Sequence, residues 1–279
     1  MAFQTDGFLS PEMEEFTTGL RKVSAYKLWF EFAEELNRLG WEMLAVHGPP
    51  AANDPRLWIS LLFVRAHRSF QAAIILSEKG ILSDARAVLR SAVEGAIALH
   101  ALAHNIAFVD QLEDAHHFNR RKQANDVLRN KDEYEPALTQ SQVDEMKAAI
   151  REVDAEERAA NRKFCKINWA DVATKHCPAL YQTLYRLLSN DGTHTNIIAA
   201  KRFVKLNETG QWILQIGPDF SDMVEVVQMA CMAFIWAAEP FTRILASQFQ
   251  RRVADKLRQF GEMPGNEPTD VRVSKIYDE

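Results

Sequence analysis

The sequence predicts an all-α fold: a multi-helix bundle of about seven helices, with one small β-hairpin near 201–216 ahead of the last long helix. Three observations predict it. Glycine and proline are scarce, 11 and 10 in 279 residues, so few positions interrupt a helix. Apolar residues recur at three- and four-residue spacing through most of the chain. One stretch alone, Arg202 to Ile216, alternates with period two about a turn at Asn207-Glu208-Thr209-Gly210.

Each element follows from its residues. Residues 1–22 read as a flexible arm or a short helix. Lys27 to Leu44 is amphipathic, with Leu28, Phe32, Leu36 and Leu39 on one side. HGPPAANDP is a loop, and its Asn53-Asp54-Pro55 starts a helix. Leu57 to Lys79 is long and apolar; Gly80 stops it, and Ser83 or Asp84 caps the next. The two make a tight antiparallel hairpin.

That next helix, Ser83 to His104, is the most informative. Ala85, Val88, Leu89, Ala92, Val93, Ala96 and Leu99 fill a broad apolar arc, and Ala87, Ser91, Gly95 and Ala98 form a strip of small residues opposite. A helix with so little ordinary solvent face is expected at the centre of the bundle. Ala107 to Asn130 follows as a polar helix. Thr139 to Phe164 carries ions of both signs and reads as solvated and protruding. Asn168 to Lys175 is a short helix, and Pro178 starts another that ends near Asn190 or Gly192. Asp219 to Phe260 is the last long helix, with Pro240 kinking or splitting it. Residues 23–260 therefore read as one domain and 261–279 as a disordered tail.

Composition narrows the function classes. Hydrophobic residues are 47% and charged residues 25%, the ordinary globular range. A net charge of −5 argues against a broad nucleic-acid-binding surface and leaves room for a local basic site. Three widely spaced cysteines, Cys165, Cys177 and Cys231, suit a reducing compartment, and the acidic start lacks a secretory core. No stretch reads as apolar enough to span a bilayer; Met229 to Ala238 is too short. The expectation is a cytoplasmic protein with no membrane partner.

Two segments carry candidate chemistry. Arg86, Arg90 and Glu94 run down the central helix at four-residue spacing. Buried charges are costly unless paired, so this stripe is either a structural ion pair fixing the helix or the lining of a pocket for an anion. In the second segment Tyr181 and Tyr185 lie one turn apart, with Arg186 beside them and Ser189 continuing the face. His194 follows the helix end, where the dipole favours the imidazolium. The structural alternative is a cluster of caps and packed tyrosines.

The phrases GILSDARAVLRSAVEGAI and NWADVA…ALYQTLYRLLSNDGTHTN resemble an uncharacterised bacterial domain family. The resemblance rests on Gly80, Ala85, Arg90-Ser91, Glu94, Trp169, Tyr181, Tyr185-Arg186, Ser189 and His194, within about residues 60–245. It implies an all-helical fold and carries no established activity. That family is in turn similar to the HEPN helical bundles, many of them metal-independent ribonucleases of toxin and antiviral systems. Those place an Arg four to six residues ahead of a His, at a dimer interface. Here seven residues separate Arg186 from His194, so Arg90 stands beside Arg186 as the candidate phosphate cation. The resemblance implies His194 as acid/base, with Glu94 beside it and the candidate cations in the catalytic set, and Tyr181, Tyr185, Ser189 and Arg86 as substrate-binding groups. It also implies RNA as ligand, a homodimer, and a protein partner in a defence module.

Two rival classes come from the residues. Carboxylate-x-x-His occurs three times, at Glu113/His116, Asp114/His117 and Asp191/His194. Di-metal bundles use two such motifs with two further Glu, so Glu94, Glu113, His116, Asp191 and His194 are an alternative divalent-metal set. The second rival is a non-catalytic interaction module using the charged Thr139–Phe164 helix. Cys165, His176 and Cys177 fail zinc spacing. Arg120-Arg121-Lys122 with Arg129 and Lys131 is a basic patch, more often a solvated face than an RNA track. No P-loop, nucleophile elbow or dinucleotide fingerprint is present.

Overall fold

The computed structural model describes residues 6–130, 138–192 and 200–265. Three helices form the centre: α3 (Arg56–Glu78), α4 (Leu82–His104) and α9 (Met223–Ile244). The apolar arc of α4 is buried but for Val88, which is half-buried; Ala85, Leu89, Ala92, Val93, Ala96 and Leu99 are closed to solvent. Its small-residue strip lets α3 approach closely, Gly95 facing Ala66. Phe63 and Phe70 of α3 interlock with α9 through Phe241 and Phe234, ring centroids 4.1 Å apart for Phe63–Phe241 and 5.0 Å for Phe70–Phe234.

By length and composition α3 and α9 are apolar enough to cross a membrane, contrary to the expectation that no stretch is. Most of the apolar window of α9 is buried inside the protein, because a helix with packed neighbours on most sides must be apolar nearly all round.

The remaining elements wrap this centre. Residues 1–22, read as a flexible arm or a short helix, include the short helix α1 (Glu12–Leu20), whose Phe16 meets Phe220 with ring centroids 5.3 Å apart. Helix α2 (Ser24–Val46) packs on α9 and α3. Helix α10 (Gln250–Glu262) covers α2, with Phe260 against Trp29 and Phe32. Helices α7 (Trp169–His176) and α8 lie on α4. Helix α8 starts with Pro178–Leu180, passes a π-helical turn at Tyr181–Tyr185 and continues as Arg186–Gly192. Gly80 ends α3 at φ +70°, and its carbonyl accepts a hydrogen bond from the Asp219 backbone at 2.9 Å. A Cβ at Gly80 would come within 2.8 Å of that nitrogen, so the α3–α4 turn needs glycine twice over.

Helices α5 (Phe108–Arg129) and α6 (Gln140–Ala160) run antiparallel and pack chiefly on each other. Thr139 and Gln142 form a reciprocal capping box at the start of α6, and Asn161 ends it in the left-handed region at φ 50°. The hairpin comprises β1 (Val204–Leu206) and β2 (Trp212–Leu214), paired Val204 with Leu214 and Leu206 with Trp212. It is shorter than the alternation suggests and is held at its turn by the Asn207 side chain, which accepts from the backbones of Thr209 and Gln211.

The described residues thus hold ten helices rather than about seven. The sequence sets out eight helical segments; α1 adds one, and the last long helix divides in two. The division falls at Leu245–Phe249, not at Pro240, which stays inside α9. Proline at 240 frees the carbonyl four residues earlier, that of Trp236. His100 of α4 donates its Nε2 proton to that carbonyl at 3.0 Å, so the helix passes through without a break. The tail beyond residue 265 lies outside the described residues.

Candidate functional site

The N-terminal half of α4 and the π-turn of α8 come together as a polar seam in an otherwise apolar centre. Arg86 is 2% exposed, and its Nη2 lies 3.1 Å from Asp222 Oδ2. Arg202, at the base of the hairpin, donates to the same oxygen at 3.0 Å. Asp222 occupies the N-cap position of α9 without making a side-chain cap bond, its carboxylate turned to the two guanidiniums instead. One turn along α4, Arg90 Nε donates to Glu94 Oε1 at 3.2 Å. The Arg90 guanidinium also sits over the Tyr185 ring, 5.4 Å from its centroid, within cation–π range.

Tyr185 is buried and stacks on half-buried Tyr181, with ring centroids 5.7 Å apart and planes 27° from parallel. The π-turn contains both rings; such turns widen a helix by one residue and re-aim side chains. Ser189 Oγ donates to the Tyr185 carbonyl at 2.6 Å, tying the next turn to the tyrosine.

The structure therefore brings together Arg86, Arg90, Glu94, Tyr181, Tyr185 and Ser189 along one seam. Arg186 is exposed on α8. Asp191 belongs to the end of α8, but its side chain lies outside the described residues, as does His194 entirely. The alternative metal set is not assembled among the described residues, which contain no group of three or more His, Cys, Asp and Glu placed to hold an ion. Glu113 and His116 are exposed on α5, and Glu94 is taken by Arg90. The overlapping Asp114 is taken by the Arg162 guanidinium at 2.9 Å and 3.0 Å, and His117 Nδ1 lies 2.9 Å from Glu156.

Two residues of the seam carried no sequence signal as site residues. Asp222 precedes an apolar run and reads as a cap; Arg202 opens a strand. Only the tertiary packing brings Asp222 to Arg86 and sets Arg202 on the same carboxylate. Nearby, burial pushes the His100 imidazole down to about 4, so its neutral ring serves the Trp236 carbonyl. Burial also pushes the Cys177 thiol up to about 12, which keeps it protonated and unreactive. An open groove of about 520 Å³ lies in the arm rather than at the seam, lined by Arg120, Val127, Met146 and Ala149 among others.

Neither a curated protein nor a solved structure matches the chain. A family of unknown function, DUF5677, matches residues 56–211, more than half of the chain. The matched span opens at the first residue of α3 and ends at the hairpin turn. It holds Arg86, Arg90, Glu94, Tyr181, Tyr185, Ser189 and Arg202, and so every side chain of the seam except Asp222. On that match the chain belongs to the DUF5677 family.

Proposed function

We propose that the α4–α8 seam binds single-stranded RNA in the manner expected of a HEPN-like bundle. The observation that carries the reading is the layered arrangement of Arg90 over Tyr185 and Tyr185 on Tyr181. Arginine and stacked aromatics are the groups that hold an unpaired base and its phosphate, and they need no metal to do so. Tyr181, half-buried, offers the ring on which a base stacks. Arg90 supplies positive charge to the adjacent phosphate, with Arg186 as the second cation within the same helix as the tyrosines. Arg86 and Glu94 fix the position of this face on α4.

On this reading His194 serves as the acid or base of a metal-independent cleavage. The 2′-hydroxyl loses its proton, its oxygen attacks the neighbouring phosphorus, the bond to the 5′-oxygen breaks and that oxygen is protonated. A cytoplasmic setting and a place in a toxin or antiviral module belong to the same reading.

The test is binding and cleavage of a mixed single-stranded RNA pool by the full chain, with and without EDTA. Tyr181→Ala is expected to weaken binding by roughly ten- to hundredfold, the loss of one stacking partner. His194→Ala is expected to abolish EDTA-resistant cleavage while sparing binding. Wild-type protein that neither binds nor cleaves, or binding indifferent to both Tyr181→Ala and Arg90→Ala, would overturn the proposal.

A further inference from the structure

The hairpin carries apolar side chains into water. Val204 pairs with Leu214 and Leu206 with Trp212, so the four share one face, and that face holds no polar side chain. Leu206 is 56% exposed, Trp212 67%, Leu214 72%, and Ile216, at the next two-residue step, 80%. On a scale of about 150–250 Å² for a whole aromatic side chain, these last four leave roughly 500 Å² open. An apolar patch of that size on one molecule usually has a use.

The described chain ends near the foot of this hairpin. Arg202, just before β1, donates at 3.0 Å to Asp222 at the start of α9. Gly265 lies against Gln228 of the same helix, where a Cβ would stand 3.4 Å from the Gln228 Nε2. Gln228 follows Asp222 by six residues, a rise of about 9 Å, on a helix about 10 Å across. The five residues Asn266 to Asp270 span up to about 17 Å when extended, enough for that step. Beyond them comes Val271-Arg272-Val273-Ser274-Lys275-Ile276-Tyr277, rich in β-branched and aromatic residues. In an extended chain Val271 and Val273 fall on one side, Arg272 and Ser274 on the other.

We infer that segment 271–277 of this chain lies extended on the apolar face of its own hairpin. Entering at the foot and running toward the turn, it sets Val271 over Ile216 and Val273 over Leu214, since both chains repeat a side about every 6.6 Å. The next residue of that side, Lys275, falls at Trp212. Its stem covers the indole, and its ammonium meets the ring face and Glu208 of the turn. A chain laid on the outer face keeps its own N–H and C=O groups in water, so no polar group is stranded. Tethering decides the occupant. A short linker holds the segment at an effective concentration on the order of 1 mM, so a contact with a dissociation constant of roughly 0.1 mM is about nine-tenths closed. A second copy at micromolar concentration competes poorly against it. The inference goes beyond the RNA reading and uses none of the residues assigned to it, so either can fail alone.

The test is hydroxyl-radical footprinting of the full chain, with oxidation at Trp212 read by mass spectrometry. Deleting residues 266–279 is expected to raise that oxidation about three- to tenfold, as nine-tenths closure implies. Val271→Asp with Val273→Asp in the full chain is expected to raise it as much. A Cys165→Ala background leaves only the buried Cys177 and Cys231. There a short bismaleimide, suited to the roughly 10 Å between stacked extended chains, is expected to join Leu214→Cys to Val273→Cys within one chain. It is not expected to join Lys205→Cys to Val273→Cys, because Lys205 shares the opposite face with Ile213. Trp212 oxidation indifferent to the deletion and to the double variant overturns the inference, as does linking through Lys205→Cys in place of Leu214→Cys. Protection of Trp212 that survives the deletion and deepens from about 1 to about 100 µM protein also overturns it, and makes a second copy the occupant.

Discussion

The centre of the bundle and its α5–α6 arm both use arginine–carboxylate pairs, to opposite ends. At the centre, Arg86 meets Asp222 among closed apolar helices, and the pair joins segments 136 residues apart. In the arm, Arg120 pairs with Glu152 at 2.7 Å, Arg121 with Asp154 at 3.1 Å and Arg162 with Asp114 at 2.9 Å, mostly in solvent. Among the described charged groups of the arm, only Glu157 is buried; it receives Arg121, Lys163 and the Phe164 backbone, and these bonds hold its carboxyl down to about 2. The lesson is one of dielectric and replacement. A buried ion has no water to fall back on, whereas an exposed one exchanges its partner for water at little cost.

The largest expected break of that contrast is Arg86→Ala. It empties a fully enclosed site while leaving Asp222, partly exposed, still paired with Arg202, so the loss comes chiefly from the cavity and the unfolding free energy in urea should fall by about 2–4 kcal/mol. A loss under about 1 kcal/mol would mean that apolar packing alone holds the centre.

The next is pH. Burial pushes both His67 and His100 down to about 4, from an ordinary value of 6.5. Between those values the unfolded chain binds more protons than the folded one. Stability is thus full above about 6.5, declines as pH falls towards about 4, and should lose at most about 3 kcal/mol per histidine. The arm responds in a lower window. The Glu157 carboxyl lies below its ordinary 4.5, so its contribution is present above that value and lost as pH falls from 4.5 towards 2. Hydrogen exchange should show the centre weakening first and α6 opening later; the reverse order would break the comparison.

Gly40→Ala tests the histidine from the other side. A Cβ there would stand 2.8 Å from His67 Nε2, which donates to Asn37 Oδ1 at 2.9 Å. Either the ring shifts or the hydrogen bond is lost, and thermal unfolding should show about 1–3 kcal/mol of destabilisation. The smallest effect belongs to the arm's rim. Arg120→Ala should cost less than about 1 kcal/mol in the same melt and less still at high salt.

Much of the fold was legible in the residues. The central place of α4 followed from an arc and a strip that leave no solvent face, and the Gly80 turn followed from its flanking helices. The hairpin showed in its alternation, and the protruding arm in its mixed charges. The misreadings have local causes. Pro240 looked like a breaker because the sequence cannot show that His100 stands ready to satisfy the freed carbonyl. The π-turn in α8 left no mark, since Tyr181 and Tyr185 keep the same one-turn spacing in an ordinary helix. Of the seam, the Arg86–Arg90–Glu94 stripe and the two tyrosines were visible as separate motifs. Their meeting through Arg90 and Tyr185 was not.

What the sequence determined by itself is therefore everything set by neighbours along the chain: helix faces, turns, the alternating hairpin and the Arg90–Glu94 pair one turn apart. What the tertiary structure alone decided is which distant groups share a desolvated space: Arg86 and Arg202 with Asp222, Arg90 with Tyr185, and His100 with Trp236. The reason is physical. Periodicity reports which side of an element avoids water, but a buried polar group is satisfied by whatever partner packing delivers, and packing matches whole surfaces rather than sequence intervals.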